Sequence, residues 1–140
     1  MNKILCTSVI LAGLTIGYGT VATAEPTTQP AAESTEAVNT DKTGVAINGY
    51  DPVAYSEMGE PKKGNFQIAS THDGATYWFV SEKHKALFDA DPEKYLPQYG
   101  GYCAYGVAIG RKFNADPHTW AIIDGKLYLN LNDQIAEVFN

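Results

Sequence analysis

Two Asp-Gly pairs, Asp73-Gly74 and Asp124-Gly125, constrain the fold of this chain more than any other feature. A two-residue hairpin turn of the primed type needs positive φ at its central positions, and Asp followed by Gly adopts that geometry readily. Each pair sits between two β-prone runs, which predicts a hairpin. In "NFQIASTHDGATYWFVS" the residues Phe66, Ile68 and Ser70 alternate on one side of the first strand; beyond the turn Thr76, Trp78 and Val80 alternate with Tyr77 and Phe79. The second hairpin, "HTWAIIDGKLYLNLN", offers Ile123, Leu127, Leu129 and Leu131 for burial.

Helices are expected between and after the hairpins. In "SEKHKALFDADPEKYLPQYG" Ser81 is a good N-cap, His84 falls at N3, and Leu87 and Phe88 share a face with His84. Asp91-Pro92 interrupts that helix, a second turn follows around Glu93 to Leu96, and Pro97 with Gly100-Gly101 ends it. "YCAYGVAIG" reads as a short helix or a tight loop. Asn132 or Asp133 caps a last helix of about two turns, expected to be incomplete at its C-terminus. Hairpins and helices are mixed rather than alternating as βαβ units, which predicts a small single α+β domain with antiparallel hairpins packed against short helices. No internal repeat is legible.

The ends divide the chain. Residues 1–24 carry Lys3, an apolar run from Ile4 and an Ala22-Thr23-Ala24 ending, the pattern of a signal peptide cleaved after Ala24. Residues 25–43 are rich in Pro, Ala, Thr, Ser and Glu and read as a flexible tether. Residues 44–140 make the domain. A periplasmic or secreted location follows, with no membrane attachment after cleavage. The net charge of −6 becomes −7 once Lys3 is removed, and no basic stripe is present, so nucleic acid is excluded as a partner class.

Cleavage also removes Cys6 and leaves Cys103 as the single cysteine, in "QYGGYCAYGVAIG". A lone cysteine in an exported chain is a metal ligand, a reactive thiol, a buried small hydrophobe or one half of a disulfide between chains. In the first turn of a helix its thiolate would be favoured. An accessible thiol would sit at the edge of a pocket floored by Gly101 and Gly106 and walled by Tyr102 and Tyr105. Of the histidines, His72 belongs to a hairpin tip and is expected in solvent, and His118 follows Asp116-Pro117 as a loop or cap residue. Eight tyrosines beyond the signal line an aromatic groove or build a small core with hydroxyls directed outward. Asp51, before Pro52, is a turn former or one half of an acid–base pair with Tyr50 or Tyr55. No nucleophile–base–orienter set, phosphate loop, C-x-x-C or H-E-x-x-H is present, so no enzymatic activity is expected.

The pieces "NGYDPVAY", "GATYWFVSEKHKALFDADPEKY" and "PQYGGYCAYGVAIG" together resemble the YHS domain, a small module related to the TRASH metal-binding group. The resemblance implies a YHS-like α+β fold and the handling of a transition metal, Cu or Zn, or of a metal cofactor. The cysteines of metal-handling members fall on Ala54, Val80 and His84 here, so only His84 keeps a donor atom. The resemblance thus nominates His84 as a metal ligand, and the lone thiol Cys103 is taken as its candidate partner. The alternative is a non-catalytic protein-interaction module with a structural cysteine.

Overall fold

The structure is a computed structural model and describes residues 36–140. The expected cleavage site lies outside these residues. Both hairpins form: β1 (Asn65–His72) pairs antiparallel with β2 (Ala75–Phe79), and β3 (Asp116–Ile123) with β4 (Lys126–Asn130). Asp73 and Gly74 have φ of 48° and 80°, and Asp124 and Gly125 of 51° and 74°, the doubly positive turn that their sequence predicts. Among the described residues five α-helices accompany them: α1 (Pro52–Glu57), α2 (Glu82–Ala90), α3 (Pro92–Tyr95), α4 (Ala104–Ala108) and α5 (Asp133–Phe139). The Ser81 side chain accepts from the His84 amide, and that of Asn132 from the Ile135 amide. The domain is small and mixed α+β, as the pattern predicts.

The order of elements repeats, which is not legible in the sequence. A 3-10 turn (Ile47–Gly49), α1, β1, β2 and α2 are followed, after α3, by a 3-10 turn (Gln98–Gly101), α4, β3, β4 and α5. In both halves the strands have eight and five residues. Three consecutive left-handed residues precede each short helix: Ile47, Asn48 and Gly49, then Tyr99, Gly100 and Gly101. The Asp51 amide donates to Lys62 O and the Cys103 amide to Phe113 O, both at 2.9 Å. Asp51 and Cys103 thus hold corresponding places, each the N-cap of a short helix. The halves share little beyond a Gly-Tyr and an Asp-Gly step, because a backbone geometry constrains only the few positions that need positive φ.

One core joins the halves. Val53 and Tyr55 of α1, Tyr77 and Phe79 of β2, Phe88 of α2, Tyr95 of α3, and Leu127 and Leu129 of β4 pack together. The tyrosines serve as amphipathic core rings. Tyr55 donates to Pro117 O at 2.9 Å, Tyr95 to Glu57 Oε1 at 3.1 Å and Tyr102 to Glu36 O at 3.2 Å. Leu127 and Leu129 are buried as expected, but Ile123 and Leu131 at the ends of the second hairpin are exposed. Alternation alone therefore overstates the buried face.

Order begins ahead of Gly44, inside the segment expected to be tether. The Asn39 amide donates to Gly100 O at 2.8 Å and its side chain to Gly101 O at 3.1 Å. Thr40 bridges to Ala46, and Asp41 accepts from Thr43 and Val45 in a local turn. Hydrogen bonding of Asp41 by Thr43 and Val45 holds its carboxyl below the usual range. These polar residues are held by main-chain bonding rather than by apolar burial, which composition does not report.

Candidate functional site

Asp51 is the centre of the first half. As N-cap of α1, with Pro52 in the first turn, its Oδ1 accepts from the Val53 amide at 2.8 Å and the Ala54 amide at 3.3 Å. Its Oδ2 accepts from the Val80 amide at 2.8 Å and from His84 Nδ1 at 2.7 Å. Asp51 is wholly buried and the His84 side chain only 10% exposed. Since a carboxylate accepts but does not donate, this network assigns the His84 proton to Nδ1. Nε2 is left without a partner among the described residues. His84 is therefore a buried, oriented imidazole rather than an exposed helix histidine.

Ala54, Val80 and His84, the three positions at which the resemblance places cysteines, all converge on this carboxylate. Two of them reach it through main-chain N–H groups and one through its side chain. Only the last could coordinate a metal with its side chain. Ala54 is fully buried and Val80 half-buried.

Cys103 lies elsewhere, between α4 and β4. It is 1% exposed. Its Sγ approaches Asn130 Oδ1 at 3.8 Å, the same oxygen that accepts from the Tyr105 amide at 3.3 Å. Asn130 is itself fully buried at the end of β4, and its Nδ2 has no hydrogen-bond partner among the described residues. The thiol is thus a core group, and the pocket-edge position expected for an accessible cysteine is not found. Gly106 packs against Phe113 and Arg111, and Gly101 against Pro97, in place of a pocket floor.

The other candidates separate in the same way. His118 is exposed and its Nε2 pairs with the Tyr50 hydroxyl at 2.9 Å. Tyr55, one proposed partner of Asp51, spends its hydroxyl on Pro117 O, and burial raises its pKa. His72 is not simply solvated: its ring packs edge-on against Phe88 and its Nε2 is buried. Sequence reasoning passed over Asn130, and it met Asp51 only as a turn former or acid–base residue. The Asp-Pro step before an apolar helix signals the N-cap, but nothing local signals the bond to His84.

The donor set does not fit a resident metal. No hydrogen bond joins Cys103 to His84, their polar partners differ, and no group of three His, Cys, Asp or Glu among the described residues is placed to hold an ion. A closed site needs about four converging donors at ~2.0–2.3 Å. Comparison with family models, curated proteins and solved structures finds no match for this chain.

Proposed function

We propose that this protein is an exported, non-catalytic binding module of YHS-like fold in which Cys103 is a structural residue. The observation that carries the reading is the burial of the Cys103 thiol against Asn130. A reactive thiol needs access and a neighbour that favours the thiolate, and Cys103 has an amide oxygen and apolar packing instead. The Asp51–His84 pair supports the same reading, because its carboxylate ties α1, β2 and α2 together through four donors. Export and periplasmic location follow from the leader pattern in residues 1–24.

The test is alkylation of Cys103 in native and denatured protein, with Cu2+ and Zn2+ titrations of the parent, Cys103→Ser and His84→Ala. Alkylation is expected only on unfolding, and Cys103→Ser should lower stability by about 1–3 kcal/mol. Any metal uptake should be the same in all three proteins. Fast alkylation of the native thiol, or uptake abolished by either substitution, would overturn the reading and restore Cys103 and His84 as ligands.

A further inference from the structure

The arm at residues 36–40 lies against the left-handed turn at residues 99–101 as a peptide lies in a groove. The Asn39 amide donates to Gly100 O at 2.8 Å and its side chain to Gly101 O at 3.1 Å. At the other end Glu36 O accepts from the Tyr102 hydroxyl at 3.2 Å and from Lys112 Nζ at 2.9 Å. Between them Gly100 admits the arm's main chain, since a Cβ there would stand 2.1 Å from Ala37 O. Three of these four bonds use main-chain atoms of the arm, and one uses the Asn39 side chain. Main-chain bonds of this kind hold a peptide of almost any sequence, and side-chain pockets choose among sequences.

The arm fills this groove poorly. Ala37 and Val38 line two clefts, one of about 310 Å3 against Leu96, Pro97 and Tyr99, and one of about 130 Å3 against the hairpin turn at residues 73–75. Val38 already packs on the core, whereas Ala37 is exposed and too small to fill the space beside it. We propose that this is a peptide-binding groove held in cis by a weak ligand. Its partner is an extended segment of another protein, with Asn at the place of Asn39 and a large apolar side chain at that of Ala37. The proposal rests on the reading of the chain as a binding module and names the kind of partner it takes.

Each requirement has a chemical reason. The groove offers two adjacent carbonyls, Gly100 O and Gly101 O, to one residue of the peptide. An Asn meets them with its main-chain N–H and its side-chain NH2, while an Asp in that place would set a carboxylate against a carbonyl. The larger cleft offers apolar Leu96 and Pro97 and the half-exposed Tyr99 ring, which a larger side chain would cover. Covalent attachment gives the arm a high effective concentration, so an imperfect ligand stays in place until a better one competes. A second copy of this chain would bring the same Ala37 and leave the same space empty, which favours a different sequence as the occupant.

The test is an amide-resolved NMR titration of the full-length chain with the end-capped peptide of residues 34–41, STEAVNTD, and with forms of it bearing Ala37→Leu, alone or with Asn39→Ala. The Ala37→Leu peptide should shift the amides of Gly100, Gly101 and Tyr102 and bind at least ~10-fold more tightly than the unchanged peptide. It should also open the chain's own residues 36–40 to limited proteolysis. Adding Asn39→Ala to the peptide should weaken binding about 5-fold, and Asn39→Ala in the chain should tighten it about 5-fold by loosening the competitor. Gly100→Ala in the chain should abolish binding, because its Cβ takes the space of the peptide main chain, and Gly110→Ala should leave it unchanged. Equal binding of the first two peptides, shifts confined to other residues, or binding retained by Gly100→Ala would overturn the proposal. A dimer formed by exchange of arms would also overturn it, since the groove would then belong to a second copy. None of these results bears on Cys103 alkylation, so the two readings fail separately.

Discussion

At the scale of residues, the consequential group is Asp51. One buried carboxylate accepts from three main-chain amides and an imidazole. Removing an acceptor from such a site leaves buried donors unpaired, which costs far more than an exposed hydrogen bond contributes. Asp51→Asn keeps the size but turns an amide NH2 toward donors. It should lower stability by about 2–4 kcal/mol, read as a shift of the urea midpoint without a change in m. A midpoint within error of the parent would show that the network does not hold α1, β2 and α2 together. The N-cap role was open to sequence reasoning, since Asp-Pro before an apolar helix specifies it through neighbours two and three residues away. The partners Val80 and His84 stand 29 and 33 residues away, and no local rule reaches them.

At the scale of elements, the left-handed turn Tyr99–Gly101 joins two parts of the fold. Gly100 has φ of 64°, and a Cβ there would stand 2.1 Å from Ala37 O. The arm passes over a position that only glycine can fill, and Gly100 O holds the Asn39 amide. Gly100→Ala should therefore displace the arm, lower stability by about 1–3 kcal/mol and open residues 36–40 to limited proteolysis. Gly110→Ala is the control: φ is 79°, but its Cβ would meet nothing within 4 Å, so only the ~1–2 kcal/mol left-handed strain applies. Equal protease resistance of the two variants would mean that the arm is not clamped at Gly100. The glycine pair was legible as a helix stop, and both Asp-Gly turns were legible as hairpins. That the stop also receives the arm depends on a segment 61 and 62 residues earlier, polar enough to read as tether.

At the scale of the whole molecule, a tyrosine-built core sets how stability responds to alkali. Burial, reinforced by Asp73 and Glu93, raises Tyr77 from 10.0 to about 12, and Tyr55 is raised in the same direction. The folded chain therefore keeps protons that the unfolded chain releases, so unfolding becomes easier as pH rises. The contribution is present in full below pH 10 and is lost progressively through about pH 12. At about 1.4 kcal/mol per pKa unit, Tyr77 accounts for roughly 2–3 kcal/mol of that loss. Denaturation midpoints measured across this range should fall, and Tyr77→Phe should flatten the fall; an unchanged slope in the variant would remove Tyr77 as its cause. The sequence by itself determined the two hairpins, the Ser81 cap, a last helix starting at Asn132 or Asp133, the break at Asp91-Pro92 and the α+β class, because each of these depends on a few adjacent residues and on backbone sterics. Only the tertiary structure decided that Asp51 meets His84, that Cys103 is closed in by Asn130 and that the two halves repeat one arrangement. Those outcomes depend on contacts between segments tens of residues apart, where burial selects among faces and neighbours that every local rule leaves equivalent.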